Sequence, residues 1–183
     1  MPVGIRLWST GYPQTFAMDT NPLFPVLILG FGNLDRQDDG VAWHILSRLA
    51  DRLGRPFPNQ PEEFEFLPGQ PVDFLFSLQL VPEMAETLSQ YQRVCFIDAH
   101  TGAVPDELRV EVLSPQEQGS PFTHHLTAAA LLNLTQQIYA GSPRSILISV
   151  RGYEFNFSQE LSPATQQLAG QAVDAILTWF DFA

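Results

Sequence analysis

One apolar run and the glycine-rich turn after it constrain this chain more than any other feature. Residues 26–29 read Val-Leu-Ile-Leu, the sequence Gly-Phe-Gly-Asn follows at once, and two adjacent acids, Asp38 and Asp39, come five residues later. An unbroken apolar run of this kind is typical of a strand buried on both faces of a parallel sheet. The glycines allow a sharp turn and a close approach to the backbone. The pattern predicts a strand at 25–30 and a helix from 38 to about 53.

The acid pair suggests two roles at the end of that strand. Aspartate is a favoured N-terminal cap and is stabilised at the positive end of a helix dipole. One of the two acids is therefore expected to cap the helix that follows. Capping needs only one acid, so the other is expected to point over the strand end, where sites usually lie in open α/β folds.

The rest of the chain alternates between strand and helix patterns. Further strands are predicted at 63–67, 94–97, 108–113 and 145–150, and helices are predicted to begin near Pro82, Thr127 and Ser162-Pro163. This alternation indicates a three-layer α/β/α domain with a mostly parallel twisted sheet of about five strands. We expect one domain over residues 25–183 and an N-terminal arm over residues 1–24.

Composition and charge exclude several classes of protein. The net charge is −11 and all nine basic residues are arginine, which disfavours a nucleic-acid binder. No apolar run approaches the roughly 20 residues that a membrane span needs, and the first 24 residues lack the pattern of a signal peptide. The single cysteine, Cys95, excludes an intramolecular disulfide and is expected to be a small buried residue. Together these features favour the cytoplasm.

Two predicted strands end in acids that can meet in one crevice. The first leads to Asp38 and Asp39, and the strand at 94–97 is followed directly by Asp98. A His-His pair, His124 and His125, precedes the helix that begins near residue 127. Two carboxylates and an imidazole form a candidate set of ligands for a divalent metal with open coordination positions.

These segments carry a family resemblance. The chain resembles the hydrogenase maturation proteases, endopeptidases that trim the C-terminal extension from the large subunit of nickel-iron hydrogenases. The matching segments run from about residue 25 to the end; they are 30–40, 79–83, the strand ending at Asp98, 123–127, 149–154 and 161–163. The chain departs from the family pattern at Asp35, a place often apolar, and at Ala42, a place often glycine.

The resemblance implies a function and a site. It implies an endopeptidase that acts on the large-subunit precursor after nickel insertion, with Asp39, Asp98 and His124 as catalytic residues that bind the nickel. The neighbouring His125 is the alternative third ligand. The nickel is implied to come with the precursor, so that it is not a resident cofactor. Neither a Gly-x-Ser-x-Gly nor a His-Glu-x-x-His motif is present. We expect a monomer.

Other interpretations of the sequence remain. The strand and Gly-x-Gly resemble a dinucleotide-binding turn, but Asp35 occupies the position of its third glycine, and nearby acids repel a pyrophosphate. A non-catalytic nickel-sensing binding module or chaperone on the same fold is the other alternative; it predicts binding of the precursor without cleavage. Of the remaining histidines, His44 is expected to pack in or beside the core, and His100 to line the crevice in a supporting role.

Overall fold

The computed structural model of the protein describes residues 24–102, 104–115 and 126–181. These residues form five strands and four helices. The strands are β1 (Phe24–Phe31), β2 (Val72–Ser77), β3 (Tyr91–His100), β4 (Leu108–Leu113) and β5 (Arg144–Arg151). The helices are α1 (Val41–Arg52), α2 (Met84–Ser89), α3 (Ala128–Tyr139) and α4 (Pro163–Asp181). None of the helices in this described part is long and apolar enough to cross a membrane.

The strands form one sheet in the order β2-β1-β3-β5-β4. The first four strands in this order run parallel, and β4 pairs antiparallel with β5 at the edge. The predicted mostly parallel sheet of five strands is thereby confirmed, as is the edge position of the strand at 108–113. The helices α1 and α4 cover one face, and α2 and α3 cover the other, which gives the expected three layers.

The apolar runs are continuous because both faces of the sheet are covered. Along β1, Val26 and Ile28 pack towards α1 and α4, while Leu27 and Leu29 pack towards α2 and α3. Successive side chains of a strand point to opposite faces, so a central strand needs apolar residues at every position. Cys95 on β3 is fully buried among these side chains, as its apolar neighbours predicted.

The strand predicted at 63–67 is wrong. A short 3-10 turn occupies Pro61–Glu63 and irregular chain follows, while the second strand is Val72–Ser77. Phe64 lies 6.0 Å, centroid to centroid, from the ring of Trp43. The alternation of apolar residues at 63–67 therefore reflects aromatic packing over the edge of the core; this segment does not pair with another strand.

Candidate functional site

The order of the strands fixes where a site can form. The chain leaves β1 for β2 on one side and then crosses to β3 on the other side. A change of direction of this kind opens a crevice at the carboxyl ends of the two central strands, here β1 and β3. The loop that follows β1 carries the acid pair, and β3 carries Asp98 near its end.

The loop after β1 is held in one shape by its glycines. Gly32 has a φ of 141° and donates its N–H to the Ser77 carbonyl oxygen at 3.1 Å. A Cβ at Gly32 would lie far inside van der Waals contact with the carbonyl oxygen of Asp39. A Cβ at Gly40 would come within 2.7 Å of Leu34 Cα. Both positions require glycine because the loop folds back on itself to present the acids.

Asp39 and Asp98 line the same cleft. The Asp39 carboxylate accepts the backbone N–H of Asn33 at 3.1 Å, which fixes its position across the turn. Burial raises the pKa of Asp98 to about 7; the N–H of Ala99 opposes this shift and the nearby charge of Asp39 adds to it. The charge of Asp39 therefore acts on Asp98, as expected for carboxylates that share a site.

The cleft has a volume of about 730 Å³. Beside the two carboxylates, most of the residues that line it are apolar, and they come from β1, the loop after β2, the chain entering α3, and β5. These residues are Phe31, Leu78, Leu80, Val81, Pro82, Leu126, Ala128 and Leu147. A polar pair within an apolar cleft is a common form of binding site. The arrangement suits a ligand that brings a positive centre and apolar side chains.

The third predicted ligand falls on a part of the chain that the structure does not describe. His124 and the alternative His125 lie outside the described residues, so their role stays a prediction. The two residues that directly follow them, Leu126 and Thr127, line the cleft. Within residues 24–102, 104–115 and 126–181, no group of three or more His, Cys, Asp or Glu side chains is arranged to hold a metal ion.

Asp38 has a role that the sequence reasoning missed. Neither acid caps α1, because its N-cap position is occupied by Gly40 and no side-chain capping bond is made there, so the capping prediction is wrong. Instead Asp38 is fully buried and accepts five hydrogen bonds from the segment that leads into α4. The donors are the N–H groups of Tyr153, Glu154 and Ser162 and the hydroxyls of Ser162 and Thr165, at 2.7–2.9 Å.

These hydrogen bonds decide the ionisation of Asp38. Burial alone would raise its pKa, but the donors from Glu154, Ser162 and Tyr153 outweigh that effect and hold the pKa below its usual value. The two adjacent acids thus have separate roles. Asp38 fastens the loop to the segment before α4, and Asp39 faces the cleft.

The remaining candidate residues lie outside this chemistry. His44 lies 3.0 Å, through Nε2, from the carbonyl oxygen of Gln159, and burial lowers its pKa. Burial also raises the pKa of the Cys95 thiol, which excludes it as a nucleophile. His100 accepts the N–H of Gly102 through Nδ1 at 3.1 Å and does not line the 730 Å³ cleft.

The fold is shared with solved hydrogenase maturation proteases. The hydrogenase maturating endopeptidase HybD of E. coli is 16% identical with a TM-score of 0.64, and the match covers 86% of this chain and 92% of that chain. The NiFe hydrogenase maturation protease HycI of Thermococcus kodakarensis is 17% identical, with a TM-score of 0.57 and coverage of 85% and 92%. A hydrogenase 2 maturation peptidase from a Thaumarchaeota archaeon is 23% identical, with a TM-score of 0.53 and coverage of 85% and 97%. No protein-family model and no curated protein matches the chain.

Proposed function

We propose that this protein is an endopeptidase of the hydrogenase maturation type, which removes the C-terminal extension of a nickel-iron hydrogenase large-subunit precursor after nickel insertion. The observation that carries the proposal is the pair Asp39 and Asp98, brought from two strand ends to one cleft at the switch point of the sheet. The fold is that of solved maturation proteases, which supports the same assignment.

The chemistry of the pair fits the nickel of a loaded precursor. Asp39 and Asp98 supply two carboxylates, and His124 is the proposed third ligand, with His125 as its alternative. Carboxylate and imidazole suit nickel, and an ion held by three protein groups keeps positions for the precursor's own ligands. When bound, the ion supplies Lewis acidity near the scissile peptide. On this proposal nickel belongs to the substrate and identifies a precursor that is ready for processing.

The residues of the chain then have separate tasks. Asp39 is fixed by the Asn33 N–H and presents its carboxylate to the ion. Asp98 supplies the second carboxylate; in the metal-free protein burial raises its pKa to about 7. The apolar lining receives the side chains that flank the scissile bond and excludes water from them.

A precursor-processing assay tests the proposal. The intact mass of nickel-loaded and nickel-free large-subunit precursor from the same genome is measured after incubation with catalytic amounts of the protein. We expect loss of a C-terminal peptide from the loaded form alone. Binding without cleavage would reject the peptidase and favour the nickel-sensing chaperone.

Two kinds of variant test the site within that assay. We expect Asp39→Ala to abolish cleavage and to leave the fold intact, because Asp39 faces the cleft and Asp38 holds the loop. His124→Ala and His125→Ala, made separately, identify the third ligand. Full processing by Asp39→Ala would reject the site.

A further inference from the structure

Arg151, at the end of β5, has no acidic partner within the described part of the chain. Its guanidinium carbon lies 4.9 Å from the centre of the Tyr153 ring, in a stacked cation–π contact. On another side it approaches Gly102, where an added Cβ would lie 3.3 Å from Cζ and from Nη2. Among the described residues it forms no ion pair, whereas Arg52 and Arg109 each pair with a carboxylate.

The sheet register places Arg151 close to Asp98. Asp98 pairs with Ser149 on β5, and His100 pairs with Arg151, so Arg151 lies one strand across and two residues further along. Residues two apart on a strand point to the same face, and Leu147 on β5 packs on the α2 and α3 side. Arg151 therefore shares the face of Asp98, with about 8 Å between the two Cα atoms by strand geometry.

The surroundings favour an anionic ligand at this point. Glu107, the acid nearest to the ring that supports Arg151, is engaged by the Tyr153 hydroxyl. The Arg151 guanidinium is oriented by stacking and has no carboxylate partner among the described residues. It can therefore bind a carboxylate of a ligand, because its planar donors match the geometry of a carboxylate.

We propose that Arg151 binds a carboxylate of the substrate chain and so determines which precursors are accepted. The inference rests on the proposed function, since a peptide substrate offers anions only as carboxylates. That carboxylate belongs either to an acidic side chain near the scissile bond or to the free C-terminus of the extension.

The test compares charge-matched variants against altered precursors. Arg151→Gln removes the proposed contact, Arg151→Lys keeps the charge without the planar fork, and Arg144→Gln removes a charge from the opposite end of the same strand. Two altered precursors are compared with the natural one. In the first, the acidic side chains of the extension are replaced by their amides; in the second, two glycines are added at the C-terminus, which moves the terminal carboxylate. We measure KM and kcat for cleavage, and the Kd of fluorescently labelled precursor.

We expect Arg151→Gln to raise KM and Kd about tenfold, in line with a lost hydrogen bond to a charged group, with kcat little changed. Arg151→Lys should recover part of the affinity, and Arg144→Gln should behave like the wild type. The effect should vanish with the precursor whose critical carboxylate has been removed, which identifies its source. Equal KM and Kd for Arg151→Gln and the wild type on every precursor would overturn the inference, while cleavage by the wild type would keep the proposed function. If the wild type binds the precursor without cleaving it and Arg151→Gln binds it more weakly, the role of Arg151 in binding is supported and the proposed peptidase activity is rejected.

Discussion

Replacing Asp98 with asparagine should stabilise the metal-free protein, and the gain should grow with pH. The pKa of Asp98 is raised by burial from 3.8 to about 7. Well below pH 3.8 the carboxyl is protonated in both the folded and the unfolded chain, so it does not contribute to the pH dependence of stability there. Between these values only the unfolded chain releases the proton, so stability falls as pH rises and the loss is complete above pH 7.

The magnitude follows from the difference between the two pKa values. At about 1.4 kcal/mol for each pH unit, ionised Asp98 lowers the free energy of unfolding by up to about 4 kcal/mol. Because water reaches the open cleft, we expect about 2–4 kcal/mol. The asparagine side chain is neutral at every pH, so the stability of Asp98→Asn relative to the wild type should increase by this amount between about pH 4 and pH 8.

Urea unfolding of both proteins with a chelator present, at several pH values, measures the difference directly. Groups shared by the two proteins cancel in it. Asp39→Asn serves as a control, since it removes the neighbouring charge that helps to raise the pKa of Asp98 and should move the transition to lower pH. If the stabilities of wild type and Asp98→Asn run parallel from pH 4 to 8, Asp98 is not desolvated and the reasoning is refuted.

Three further substitutions test how the loop is held. Asp38→Ala leaves five donors without their acceptor and should cost about 3–5 kcal/mol near pH 7, measured by urea unfolding. Because the pKa of Asp38 is lower in the folded chain than in the unfolded chain, the part of this cost that depends on its charge falls as pH falls through the folded pKa, and a cost that grows with acidification would contradict the account. Ser162→Ala removes one donor to Asp38 and the acceptor for Thr165 N–H, and should cost about 1–2 kcal/mol by the same measurement. Gly32→Ala should lower the free energy of unfolding, measured by thermal unfolding, by about 3 kcal/mol or more. The matched Gly54→Ala should lower it by about 1 kcal/mol, because Gly54 also has a positive φ but has open space around it. Equal losses of stability would show that the crowding between position 32 and Asp39 is unimportant.

The order of strands and helices was readable from sequence because both faces of the central strands are covered. Continuous apolar runs at β1 and β3 and the cap signal Ser162-Pro163 follow directly from that burial and from helix chemistry. The segment 63–67 misled because aromatic packing against Trp43 produces the same alternation as a strand. The alternation of apolar residues indicates which side chains are buried, but burial alone does not determine whether the backbone forms hydrogen bonds with a neighbouring strand.

The site was predictable only in part, for a related reason. That Asp39 and Asp98 face one cleft follows from strand ends meeting at the switch point, which the alternation of elements already indicated. The partners of Asp38 lie 115 to 127 residues away in the chain, and no local pattern records such a distance. The sequence contained only two weak signals of this role. The acid pair has one acid more than a helix cap needs, and Ser162 and Thr165 follow much later in the chain, three residues apart.

The long-range bonds of Asp38 also order events during synthesis. The acid loop leaves the ribosome well before its partners, because every one of the five donors to Asp38 belongs to residues 153–165. Until those residues emerge, Asp38 lacks all five of its donors, and the loop that carries it is not tied to the segment before α4. The acid loop is therefore fastened by a segment made 115 to 127 residues after Asp38, once the chain has reached the start of α4.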